Sequence, residues 1–238
     1  MSKTKYLLFD LDRTLWDFEG NADITFGKMY EAFRLEQHTG VDCETFHDFY
    51  RIVNDQLWDK YRNGTLLKEV LNLQRFVIPL QHFGMKEGVV ALSEKLGEFY
   101  VHEGPKQTGL MPGARHLLDY LQHKGSYTLC IITNGFKEAQ VPKMHSSDIH
   151  RYFSHFFLSE ELGFMKPDVR FFNAVLQKLD AAPEECIVIG DDYKVDIQGA
   201  RKTLIPQIFY NYNGKYQGER PFQPTWEVRS LEEIEAIL

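Results

Sequence analysis

Cysteine is scarce. Three residues in 238, Cys43, Cys130 and Cys186, are too few and too scattered for a disulfide framework or a zinc cluster. Cys130 and Cys186 sit inside apolar runs and read as reduced core thiols. Basic charge is also short: 27 Lys and Arg face 34 Asp and Glu, a formal net charge of −7. That balance argues against a nucleic-acid polymer as partner, but not against a small anion held in a local cationic pocket. Long apolar runs are missing, since none approaches the roughly 18 residues of a membrane span. The start, Met1-Ser-Lys-Thr-Lys-Tyr6, carries no apolar core of a signal peptide. A cytoplasmic protein without a membrane partner is expected. There is no internal repeat, no G-x-G-x-x-G and no G-x-S-x-G. Gly104-Pro-Lys-Gln-Thr-Gly109 has P-loop glycine spacing, but Leu110 and Met111 replace the Lys and Ser/Thr that would grip a phosphate.

What is present is an ordinary globular composition, 43% hydrophobic and 26% charged, in a chain long enough for a core domain plus a smaller one. Tyr6-Leu-Leu-Phe9 is a short apolar run, which predicts a strand buried on both faces. Four stripes of helical period follow: Phe26, Met29, Tyr30, Phe33; then Phe46, Phe49, Tyr50, Val53, Leu57; then Leu66, Val70, Leu73, Val77, Leu80; then Val89, Leu92, Leu96, Phe99. Pro79 should kink or end the third helix. Beyond a Gly/Pro-marked linker at 104–113 the pattern alternates. Helices are predicted over 114–124, 136–146, 167–179 with Pro167 at its first position, and 195–202. Strands are predicted over 127–132, 156–158, 186–189, 206–210 and 226–228. Ser230-Leu-Glu-Glu233 reads as a capping box opening a last helix. Alternating strands and helices predict an α/β domain, a doubly wound parallel sheet, with the all-helical block inserted into it. The expected division is 1–18 and 105–238 for the core and 19–104 for the helical domain.

Ligands bind outside the carboxyl ends of strands in such a sheet, so the residues that follow each strand are the candidates. Asp10-Leu-Asp12-Arg-Thr14 follows the first strand, Thr133-Asn134-Gly135 the second, and Gly190-Asp191-Asp192 the 186–189 strand, with Asp196 shortly beyond. Lys166-Pro167-Asp168 opens a helix between the last two. Carboxylates, a hydroxyl and an ammonium gathered at one sheet edge are costly unless a metal and a polar substrate share them. Hard oxygen ligands suit Mg²⁺, which keeps waters and takes phosphate as a co-ligand. Asp10 is then a candidate nucleophile and Asp12 a candidate acid/base. Thr133, with N–H groups at a helix start, is a candidate holder of phosphate oxygens, and Lys166 would offset charge on the nucleophile and transferred group. Thr14, Asn134 and Gly135 complete the candidate substrate-binding set. His145, His150 and His155 recur in five-residue steps, which do not face one metal from a helix, and read as surface residues.

The set resembles the haloacid dehalogenase (HAD) superfamily of hydrolases over the whole chain. Asp10-Leu-Asp12-Arg-Thr14 is similar to its first motif, Thr133 to its second, Lys166 to its third, and Gly190-Asp191-Asp192 with Asp196 to its fourth. Each piece alone is short; four in order after the right elements carry the resemblance. It implies a Rossmann-like core with the helical block as an inserted cap domain that closes over the site. It implies Asp10 as nucleophile through an aspartyl-phosphate, Asp12 as general acid/base, and catalytic roles for Thr133 and Lys166. It also implies Mg²⁺ held by the Asp10 side chain, the Asp12 carbonyl and Asp191, with Asp196 as an additional acidic group. Two positions depart from the pattern: Arg13, where a small residue is frequent, and Asp192, where Ser or Thr is frequent. Asp192 reads either as a further metal ligand or as a helix cap.

Asp12 separates the branches. Dehalogenase members lack an acid there, because halide leaves without a proton, whereas the alkoxide of a phosphate ester benefits from one. Asp12-Arg-Thr-Leu-Trp-Asp17 before a helical cap, with Ile132-Thr-Asn-Gly135, resembles the branch of nucleoside 5′-monophosphate phosphatases. Trp16 and Phe18 read either as ring-stacking residues for the base or as hinge packing. The expectation is Mg²⁺-dependent hydrolysis of a small phosphorylated metabolite, with a nucleoside 5′-monophosphate foremost. A 2-haloacid dehalogenase is the alternative, followed by a sugar-phosphate mutase and a non-catalytic phosphate binder.

Overall fold

The structure, a computed structural model, describes residues 4–238. Among the described residues one parallel sheet is formed by β1 (Tyr6–Phe9), β2 (Thr128–Thr133), β3 (His155–Leu158), β4 (Cys186–Gly190), β5 (Gln207–Tyr210) and β6 (Trp226–Val228). Their spatial order is β3-β2-β1-β4-β5-β6. The chain therefore starts in the middle of the sheet, winds to one edge, and returns across β1 to the other. Tyr6 pairs with Thr128 on one side and with Cys186 on the other, which aligns the ends of β1, β2 and β4.

The strands are apolar at consecutive positions because both sheet faces are covered. One face carries Leu7, Phe9, Ile131, Ile187 and Ile189 against Leu117, Leu118 and Leu121 of α6 (Ala114–Lys124) and Met144 of α7 (Lys137–Ser146). The other carries Leu8, Cys130, Ile132, Cys186 and Val188 against Phe171, Phe172, Val175 and Leu179 of α9 (Val169–Leu179). Each fully buried side chain of this size contributes about 1.5–3 kcal/mol relative to exposure. Cys130 and Cys186 are free and buried, and burial pushes both thiols up to about 12, so they stay protonated core residues.

The chain divides into two compact units, Met1–Phe18 with Thr108–Leu238, and Glu19–Gln107. The second is helical: α1 (Phe18–Ala32), which begins at the unit's edge, then α2 (Leu35–Thr39), α3 (Cys43–Arg62), α4 (Lys68–His82) and α5 (Val89–Glu103). Its core joins Phe26, Met29, Phe46, Tyr50, Leu80 and Leu96, as the stripes predict, with Phe76, which they do not contain. The third stripe holds in part: Val77 and Leu80 are buried and Leu73 packs against the core, but Val70 is 39% exposed and α4 also buries Leu71, Arg75 and Phe76. Leu66 lies before the helix. Pro79 sits in the last turn of α4, which ends three residues later, so the missing N–H costs one bond near a terminus rather than the helix.

Three other boundaries differ from expectation. Asp168, not Pro167, opens α9: its side chain accepts from the Arg170 N–H at 2.8 Å. The 195–202 segment is a π-helical turn, Tyr193–Ile197, running into the short α10 (Gln198–Lys202). The expected last helix is a 3₁₀ segment, Glu232–Ala236, with no side-chain cap; Leu231 and Ile234 are buried in the core, and that packing decides the local geometry over the Ser230 capping box. α8 (Ser159–Leu162) follows β3. Among the described residues no helix is long and apolar enough to cross a membrane.

Candidate active site

The aligned ends of β1, β2 and β4 bring the predicted residues together. Asp10 leaves β1 with its N–H donating to the Ile189 carbonyl of β4 at 2.9 Å, which fixes where its side chain begins. The loop beyond it folds back on itself: the N–H groups of Leu15 and Trp16 both donate to the Leu11 carbonyl at 2.9 Å. Arg13 takes a left-handed conformation, φ 67°, and its guanidinium lies 4.4 Å from the Phe18 ring centroid. Thr14 is buried and donates from Oγ1 to Asp191 Oδ1 at 3.1 Å, tying the first loop to the one after β4.

Lys166 holds the centre. It is 1% exposed, and its ammonium makes three bonds, one per N–H: Asp10 Oδ1 at 2.6 Å, Asp196 Oδ1 at 2.7 Å and the Ile132 carbonyl at 3.0 Å. Burial works against its charge, yet Asp10 and Asp196 together hold the ammonium above its ordinary value. Asn134 clasps the Lys166 backbone at both ends of its amide, donating to the carbonyl and accepting from the N–H at 2.8 Å each. The Asn134 side chain thereby places Lys166. Gly190 is required by close approach: a Cβ there would lie 2.5 Å from Asp196 Oδ2. Asp196 Oδ2 accepts from the Asp192 N–H at 3.2 Å.

Asp10, Asp191 and Asp196 are the one group of at least three His, Cys, Asp or Glu side chains among the described residues whose ligand atoms lie within 4.8 Å of one another. Three carboxyls stand against one buried ammonium. Burial raises all three: Asp10 despite the pull of Lys166, Asp196 to about 7 against the same pull, and Asp191 well above its ordinary value with Asp10 and Asp196 adding to the effect. A buried cluster with surplus negative charge and hard oxygen donors fits a divalent cation such as Mg²⁺. His145, His150 and His155 form no such group; His145 stacks on His150 at 4.1 Å and His150 on Phe156 at 4.9 Å.

Asp12 is held separately. Its Oδ1 accepts from Lys143 Nζ at 2.7 Å and its Oδ2 from Gln140 Nε2 at 2.8 Å. Gln140 Nε2 also donates to Thr133 Oγ1 at 2.8 Å, and the Gly135 N–H reaches the same oxygen at 3.1 Å. Because that oxygen accepts twice, the Thr133 proton is left to donate outward. Sequence reasoning missed Gln140 and Lys143. The signal for them was polarity on an apolar face: α7 buries Gln140, Lys143 and Met144, one helical stripe immediately after a motif strand. Asp192 caps the π-helical turn, its Oδ1 accepting from the Lys194 and Val195 N–H groups at 2.9 and 3.0 Å, as the cap reading of its side chain expects. Trp16 is buried in the core cluster, with Phe18 packed against it edge-on at 6.3 Å, so hinge packing prevails over ring stacking for Trp16.

A parallel sheet in this order, with carboxylates and a buried lysine at its carboxyl edge, defines a hydrolase scaffold of the HAD type. The sequence profile of the haloacid dehalogenase-like hydrolases matches residues 4–202, and the chain belongs to that family. It is 31% identical to the pyrimidine 5′-nucleotidase PynA of Streptococcus pneumoniae, over 97% of this chain and 93% of that one. It is 29% identical to the pyrimidine 5′-nucleotidase YjjG of Escherichia coli, over 99% and 98%. Among solved structures it resembles the HAD-hydrolase YfnB of Bacillus subtilis, crystallised bound to magnesium, with a TM-score of 0.86 at 26% identity over 99% of both chains.

Proposed function

We propose that the protein is a Mg²⁺-dependent phosphomonoester hydrolase acting on nucleoside 5′-monophosphates, foremost those with a pyrimidine base, in the cytoplasm. The observation that carries this reading is Asp12, a second carboxylate on the Asp10 loop with both oxygens held by donors. A carbon–halogen bond has no use for it, whereas a departing ribose alkoxide does. The names of the two nucleotidase relatives support the substrate class.

In this reading an Asp10 carboxylate oxygen attacks phosphorus, the phosphorus–ester oxygen bond breaks, and Asp12 gives its proton to the leaving oxygen. Water then attacks the aspartyl-phosphate at phosphorus as Asp12 takes its proton; the bond to Asp10 breaks and inorganic phosphate departs. Lys166 holds Asp10 in place and offsets negative charge, while the Thr133 hydroxyl, whose oxygen already accepts twice, donates to a phosphate oxygen. Asp10, Asp191 and the Asp12 carbonyl would hold Mg²⁺, which neutralises the phosphate dianion when bound. Asp196, engaged by Lys166 and the Asp192 N–H, orients that lysine. The inserted helical unit is assigned the selection of the leaving group as a cap.

Phosphate release from nucleotides, sugar phosphates and short phosphoacids, measured with and without Mg²⁺, tests the reading. Pyrimidine nucleoside 5′-monophosphates should lead, and Asp10→Asn should lose at least about a thousandfold in kcat. Halide release from a 2-haloacid without added metal would overturn it.

A further inference from the structure

The hydrolysis scheme leaves two buried polar residues of α7 without a task. The Lys143 side chain is 9% exposed and its ammonium lies 4.3 Å from the Trp16 ring centroid and 5.5 Å from that of Phe18. A lysine in such a place is costly without a partner, and its carboxylate partner is Asp12. Gln140 is 1% exposed, and its amide nitrogen bridges Asp12 and Thr133. Each oxygen of Asp12 therefore has a donor from a different residue, which fixes both the position and the plane of the carboxylate. The backbone makes room for this bridge: a Cβ on Gly135 would stand 1.7 Å from Gln140 Nε2, so no other residue fits at that turn without displacing it.

We infer that Lys143 and Gln140 are positioning residues for proton transfer, a two-point clamp that aims Asp12 at the leaving oxygen. Through Gln140 the clamp also ties Asp12 to the Thr133 hydroxyl, so that the group moving the proton and the group gripping the phosphate keep one spacing. Misplacement of a catalytic group by about 1 Å can cost about a hundredfold in rate, which sets the scale of what the clamp protects. The inference rests on the phosphatase reading of the same site.

Lys143 reaches the reacting groups only through Asp12, so its loss should matter only where Asp12 matters, whereas Gln140 also holds Thr133 and its loss should reach every ester. A p-nitrophenolate leaves phosphorus without protonation; a ribose alkoxide does not. The value of kcat/KM covers the steps up to the first phosphoryl transfer, so comparing the two esters isolates the proton delivered to the leaving group. Lys143→Met should lose about tenfold to a hundredfold in kcat/KM on a nucleoside 5′-monophosphate and less than about threefold on p-nitrophenyl phosphate, the same split as Asp12→Asn, while Gln140→Leu, which also releases Thr133, should lose on both esters and more on the nucleotide. Lys143→Arg, which keeps the charge, should recover part of the loss. Gln140→Glu, which keeps the shape but sets a carboxylate against Asp12, should show the same split as Gln140→Leu. Equal losses on both esters for Lys143→Met, or no loss on either, would overturn the clamp. Wild-type turnover that survives Asp10→Asn would instead overturn the phosphatase reading, and the clamp with it.

Discussion

At the scale of single residues the site is a problem of charge. Asp10 and Asp196 share one buried ammonium with Asp191 close by, and burial raises the carboxyl of each. A carboxyl whose folded value is raised keeps a proton that the unfolded chain has already released. Between its ordinary 3.8 and the value of about 7 reached by Asp196, rising pH therefore favours the unfolded state. A divalent cation binds the ionised forms and offsets that loss. The melting temperature of the metal-free protein should accordingly fall between about pH 5 and about pH 8, and the stabilisation by Mg²⁺ should be larger at the higher pH. A Mg²⁺ shift larger at about pH 5 would contradict the assignment of Asp10 and Asp191 to a cation beside Asp196. Most of this cluster was legible in the sequence, because Asp10, Asp12, Thr133, Lys166, Asp191 and Asp196 each follow an apolar run or open a helix. Asn134 was legible as a site position but not in its role, since its clasp on the Lys166 backbone depends on a contact 32 residues away.

At the scale of elements, strands buried on both faces are short, unbroken apolar runs, and for that reason β1, β2 and β4 were readable to within a residue. Helix phase and caps were less so. α4 buries Val77 and Leu80 of the expected stripe but leaves Val70 exposed and adds Leu71, Arg75 and Phe76, so its face was only partly readable. Gln140 and Lys143 were not singled out in the sequence, because only the packing of α7 shows that they point inward. The π-helical turn at Tyr193–Ile197 sets Asp196 opposite Lys166, and Asp192 terminates it by accepting two N–H bonds. Asp192→Ala should therefore cost about 1 kcal/mol of stability, as loss of a helix cap does, while leaving the affinity for Mg²⁺ within about twofold. Chemical denaturation together with a Mg²⁺ titration checks both; a tenfold loss of Mg²⁺ affinity without a change in stability would make Asp192 a ligand instead.

At the scale of the whole molecule, the acidic balance of the chain takes on a meaning that composition alone did not give. Part of the formal charge of −7 is not solubilising surface: Asp10, Asp191 and Asp196 are collected at one edge of the sheet around Lys166. The chain leaves β1, runs through a helical unit with its own core, and returns at Thr108 to complete the sheet. That insertion point was legible from a change of hydrophobic period. The sequence placed the return at 105 and the structure places it at 108, because Gly104–Lys106 forms a 3₁₀ turn that continues α5. The account converges on a single bond, that between Asp10 and phosphorus. Asp12→Asn protein given p-nitrophenyl phosphate with Mg²⁺ should complete the first transfer, which needs no proton, and stall before the second, which needs a base. Acid quenching followed by peptide mapping should then find the phosphoryl group on Asp10. Continued phosphate release with Asp10 unmodified, or a phosphoryl group on any other residue, would contradict the account.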